Sequence, residues 1–137
     1  MGKVLLVGHQ PEVCPEMAGW LEHQGHQVWA APDVDSAASI LAGEGFDAIV
    51  ADIGQSNPRG IARLNELSNR APLIPVIVIT RKPKISQLRE IMRAGAGDFI
   101  VPPLTEAMLC QAIARAIEFR AESVLHPARR QRLSERL

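Results

Sequence analysis

The sequence predicts an α/β fold in which helices cover both faces of a parallel sheet. Three observations carry that reading. Five short apolar runs alternate with five helix-period stretches along the 137 residues. The connections are short, so successive strands return side by side through right-handed crossovers. The central runs are apolar throughout, as strands covered on both faces require.

Val4 to Val7, preceded by Lys3, forms the first strand and ends at Gly8-His9-Gln10-Pro11. Pro11 suits the first turn of a helix, where its missing N–H is not needed. That helix runs to about Gln24, with Val13, Met17, Trp20 and Leu21 on its apolar side, and Gly25 ends it. His26 to Ala31 is the second strand. Pro32 to Glu44 is the second helix, capped by Asp33 or Asp35, with Ala37, Ile40 and Leu41 inward. The third strand, Phe46 to Ile53, delivers one carboxylate, Asp52, to its C-terminal end. Gly54, Asn57, Pro58 and Gly60 are expected to turn the chain at once. Pro58 to Asn69 is the third helix, with Ile61, Leu64 and Leu67 apolar. Leu73 to Thr80 is the fourth strand, β-branched from Val76 to Ile79. Lys84 to Ala94 is the fourth helix, with Ile85, Leu88, Ile91 and Met92 inward, and Gly95-Ala96-Gly97 breaks it. Asp98 to Val101 is the fifth strand, stopped by Pro102-Pro103. Thr105 caps the fifth helix, which runs to about Ser123 with Met108, Leu109, Ala112 and Ile113 inward.

The totals suit one domain with a sizeable core. Hydrophobic residues make up 47%, which excludes disorder over most of the length. The formal net charge is zero, so no global case exists for nucleic acid or an anionic membrane. Charge is nevertheless uneven: from Arg120 to Leu137 five Arg face only Glu122 and Glu135. The expected organisation is therefore a domain over 1–122 and an arginine-rich helical tail or linker over 123–137. Cys14 and Cys110 read as separate buried thiols rather than a disulfide framework or metal site. Met1-Gly2-Lys3 leads into an apolar run too short for a signal peptide, and nothing reaches transmembrane length. A cytoplasmic location is the expectation.

In open parallel sheets, sites gather beyond the carboxyl ends of the strands. Asp52 lies there, and so do Gly8 and Thr80. With Pro11-Glu12 after the first strand, Asp52 ending the third, Thr80 ending the fourth, and Gly95-Ala96-Gly97-Asp98-Phe99 leading into Pro102-Pro103, the chain resembles the receiver domain of two-component response regulators over residues 3 to about 121. The resemblance implies a flavodoxin-like (βα)5 three-layer sandwich with strand order 2-1-3-4-5. It implies Asp52 as phosphoacceptor, Thr80 as phosphoryl contact, Phe99 as the aromatic switch position, and Pro102-Pro103 as a cis peptide. It also implies a histidine kinase or phosphotransfer protein as partner. An output module or partner protein, or a second copy of the chain, would be met through helix 4, strand 5 and helix 5.

The departures from the family pattern are specific. Gly8 and His9 occupy the acidic pair that holds Mg²⁺, and Pro102 occupies the lysine position. Mg²⁺ wants carboxylate oxygens, which glycine lacks and imidazole does not offer; Gln10 and Glu12 are poor substitutes. Mg²⁺ binding is thus expected to be weakened, and no metal ligand set is assigned. Arg81 and Lys82, directly after Thr80, are the expected charge compensation, with Arg81 folding over the site to pair with Asp52. His9 is a second candidate for contact with Asp52. Two readings follow: an atypical phosphorelay receiver, or a phosphorylation-independent pseudo-receiver used for protein interaction or dimerisation. Neither is an enzyme. A flavin or nucleotide protein of similar topology is disfavoured, because Gly8-His9-Gln10-Pro11 lacks both a Ser/Thr-rich phosphate cradle and a GxGxxG turn.

Overall fold

A computed structural model describes residues 2–8, 14–55 and 57–125. The elements are β1 (Lys3–Gly8), α1 (Cys14–His23), β2 (Gln27–Ala31), α2 (Val34–Gly43), β3 (Ala48–Gln55), α3 (Pro58–Arg70), β4 (Val76–Arg81), α4 (Ile85–Arg93), β5 (Ala96–Ile100) and α5 (Glu106–Leu125). The strands form one parallel sheet in the order β2-β1-β3-β4-β5, as the resemblance implied.

Alternation along the central strands feeds two cores. Leu5, Val7, Ile49, Ala51, Val76 and Val78 point to one side, against Ala37 of α2, Leu64 and Leu67 of α3 and Ile91 of α4. Val4, Leu6, Ala48, Val50, Ile77 and Ile79 point to the other, against Met17 and Leu21 of α1 and Leu109 and Ile113 of α5. The continuous apolar runs of β1, β3 and β4 are explained by this cover on both faces. Trp20 and Trp29 both act as packing residues, Trp29 edge-on to Phe46 with centroids 5.5 Å apart.

Capping follows side-chain chemistry. Asp33, not Asp35, caps α2 by accepting from the Ser36 amide at 2.7 Å. Asn57 caps α3 through the Gly60 amide at 2.8 Å, and Thr105 accepts from the Met108 amide at 3.1 Å to open α5. The Pro102–Pro103 peptide is cis.

Several boundaries and faces differ from the sequence expectations. β3 does not end just after Asp52 but continues to Gln55, because a bulge absorbs the irregularity and pairing with β4 resumes beyond it. β4 starts at Val76 rather than Leu73, which lies in the preceding turn and is 67% exposed. Pro72 and Pro75 remove two ladder donors there. β5 begins at Ala96, so only Gly95 breaks the chain before it. Ile85 and Met108, expected inward, sit at the first turns of α4 and α5 and are 77% and 40% exposed. α5 runs to Leu125, and residues 126–137 of the arginine-rich tail lie outside the described residues, as do Pro11 and Val13. Cys110 is half-buried; burial raises its thiol pKa, with Glu106 adding to the effect.

Candidate functional site

The strand order places the C-terminal ends of β1, β3 and β4 side by side. Gly8 pairs in register with Asp52, Gly54 with Thr80, and Gln55 with Arg81. The register shift between Asp52 and Gly54 leaves Ile53 as the extra residue of a bulge. Gly54, at φ 67°, thereby turns its amide back to Asp52 and donates to Oδ1 at 2.8 Å. The carbonyl of the same residue accepts the Thr80 hydroxyl at 3.1 Å. Asp52 and Thr80 are the two buried polar residues of the described core.

A carboxylate removed from water needs a counter-charge or a full set of donors. Arg81 Nη1 stands 3.5 Å from Asp52 Oδ1, and the two side chains are 29% and 4% exposed. Part of this attraction is screened because the guanidinium meets solvent. Both contacts converge on Oδ1. Oδ2 is buried and has no hydrogen-bond partner among the described residues. One oxygen of Asp52 is therefore held while the other lies bare beneath the surface.

The remaining candidates are placed as follows. Lys82 is exposed with φ 47°, and among the described residues Asp52 has its ion pair with Arg81. Gly8 lies against Asp52: a Cβ at this position would come within 2.9 Å of Asp52 Cβ. His9, Gln10 and Glu12 lie outside the described residues. Phe99 pairs with Val78 on β4, is half-buried and packs on the α2–α3–α4 side. Pro102 is half-buried just past β5, where it contributes neither charge nor donor. A small cleft with room for about 20 Å³ borders the site, lined by Val7, Gly8, Val34, Ala51, Asp52 and Arg63 among others. Sequence reasoning missed Gly54 as a two-sided organiser. The available signal was a lone glycine inside a strand pattern, which marks a bulge or a close approach.

A doubly wound parallel sheet with a buried carboxylate at the C-terminal end of its central strand defines the flavodoxin-like class, which works at that edge. Within it, the chain belongs to the response regulator receiver domain family, matched over residues 4–114. It is 29% identical over 113 residues to the response regulator protein FleR of Pseudomonas aeruginosa, covering 82% of this chain and 24% of FleR. Protein PilH of the same organism is 28% identical over 115 residues, covering 82% of this chain and 95% of PilH. Among solved structures, NtrX from Brucella abortus in complex with ADP superposes with a TM-score of 0.81 at 27% identity, covering 97% of this chain and 30% of that one. A CheY-like receiver domain protein from Methanospirillum hungatei shares the fold, with a TM-score of 0.76 at 18% identity over 90% of this chain and 98% of that one. The chain thus spans about a quarter of FleR's length.

Receiver domains are signalling modules; response regulators act with histidine kinases and output domains, and the family generally holds Mg²⁺ at an acidic site. The described residues offer that ion few side-chain ligands. Among them no three His, Cys, Asp or Glu side chains gather. The oxygens at hand are those of one carboxylate, with Oδ1 engaged by Gly54 and Arg81 and Oδ2 without a hydrogen-bond partner among the described residues, and the Gly54 carbonyl, which accepts from Thr80. A hard divalent cation bound here would take most of its ligands from water.

Proposed function

We propose that this chain is a degenerate receiver domain, which signals as a phosphorylation-independent protein-interaction or dimerisation module rather than as an enzyme. The observation that carries the reading is the Asp52 carboxylate: 4% exposed, and paired to a cation of its own chain. Gly8 and Pro102, at the acidic-pair and lysine positions, supply neither ligand nor counter-charge. Phosphorylation normally adds charge that metal, lysine and backbone amides offset. With a weakened Mg²⁺ site and no lysine, Asp52 is poorly equipped to take that charge. The output face is formed by α4, β5 and α5, whose elements and following turn expose Ile85, Val101 and Met108. A partner protein, an output module or a second copy of the chain would be met there. Among the described residues no helix is long and apolar enough to cross a membrane. The cytoplasm is the proposed location, with nucleic acid outside this domain's role.

A second reading keeps Asp52 as an acceptor served by a histidine kinase or phosphotransfer protein. The bare Oδ2 favours it, because a nucleophilic oxygen must not be tied up by donors. In this reading Thr80 contacts the phosphoryl group and Phe99 reports it. Intact mass after incubation with acetyl phosphate and Mg²⁺, beside D52A, separates the two. No adduct on a folded wild-type chain is expected. A base-labile phosphoryl adduct that disappears in D52A would establish the second reading.

A further inference from the structure

We infer that Arg81 is the resident cation of this site: a guanidinium fixed on the chain holds the carboxylate that a receiver domain otherwise offers to a divalent metal. The inference deepens the degenerate-receiver reading by naming what holds Asp52. Two sets of facts carry it. Among the described residues Asp52 Oδ1 is held by the Gly54 amide and the Arg81 guanidinium, and the Gly54 carbonyl accepts from Thr80, which leaves Asp52 Oδ2 as the carboxylate oxygen without a hydrogen-bond partner. The place at position 8 is also closed, because any side chain there meets Asp52 Cβ.

A guanidinium suits the same place. It is planar, weakly hydrated and permanently charged, so it tolerates a partly buried position better than an ammonium does. Arg81 comes from the last residue of β4, in register with Gln55. The sheet therefore delivers it, not a loop. Successive residues of one strand thus serve the two halves of the site. The Thr80 hydroxyl holds the Gly54 carbonyl, and the Arg81 guanidinium holds the Asp52 carboxylate. A divalent ion and Arg81 compete for the charge of one carboxylate, and the tethered cation is always present.

The test reads the Gly54 amide by NMR together with the thermal midpoint, and requires no phosphorylation. In the wild type, the Gly54 resonance should stay fixed through a Mg²⁺ titration at constant ionic strength. R81A should move that resonance and lower Tm by roughly 5 °C, the scale set by a partly buried carboxylate losing its partner. Millimolar methylguanidinium should restore both saturably, while sodium chloride of equal ionic strength should not. R81K should recover part of the loss, having the charge without the planar fork. D52N/R81A should ignore methylguanidinium, and R81Q serves in place of R81A if that variant fails to fold. The inference is overturned by a saturable Mg²⁺ shift at Gly54 in the wild type. It is equally overturned by an R81A indistinguishable from wild type, or by rescue that survives in D52N/R81A. A metal-independent adduct on Asp52 would remove the phosphorylation-independent reading and leave this one standing. Loss of the rescue removes this one alone.

Discussion

At Gly8 the absence of a side chain is a packing requirement. The residue faces Asp52 across adjacent strands, and a Cβ would stand 2.9 Å from Asp52 Cβ. Neither partner can give way cheaply, since both atoms are fixed directly to strand backbone. Placing a carboxylate there by G8D should therefore cost about 1–3 kcal/mol of stability, as overpacking does. Urea unfolding measures it, and a G8D midpoint equal to wild type would show that the strands separate freely. Asp52 and Thr80 were legible in the sequence because each ends an apolar run whose period and length are plain. Arg81 was legible only as a candidate, since a charge after a strand end is usually solvated. Its pairing depends on the bulge at Ile53, which no local signal in residues 48–53 specifies.

Elements that were strongly apolar could be read from sequence to within a few residues, and their ends could not. The first turns of α4 and α5 show why. Ile85 and Met108 fit the helical period, yet both lie in the first turn of their helices and face solvent, 77% and 40% exposed. The passage from α4 to β5 depends on one backbone angle and one close approach. Gly95 has φ 113°, and a Cβ there would collide with Ser68 Oγ on α3. That hydroxyl is itself buried without a hydrogen-bond partner among the described residues. G95A should thus destabilise by about 2–4 kcal/mol, summing left-handed strain and overlap. S68G/G95A should recover the overlap and leave the strain, because the two costs have different origins. Equal midpoints for the single and double variants would assign the whole effect to the backbone angle.

For the whole molecule, the clearest pH dependence comes from the end of the sheet away from Asp52. Burial lowers the pKa of His26 below its ordinary 6.5, and the Gly2 amide donates to its Nδ1 at 3.0 Å. The unfolded chain then binds more protons than the folded one between the lowered value and 6.5. Stability from this group is fully present above 6.5 and is lost as pH falls through the lowered folded value. Urea midpoints measured from neutral to mildly acid pH should decline for wild type and decline less for H26Q; parallel curves would remove His26 as the cause. The ion pair at the opposite end has a different temporal character. A cation carried on a peptide chain has no dissociation constant that a cell can adjust and no chelator that can strip it. It can leave Asp52 only by changing rotamer, a motion of ps–ns in exposed side chains. An acyl phosphate stores a past event until hydrolysis erases it. A side-chain contact that forms and breaks with no covalent change holds no such record, so the Asp52–Arg81 pair sets a condition and keeps no memory.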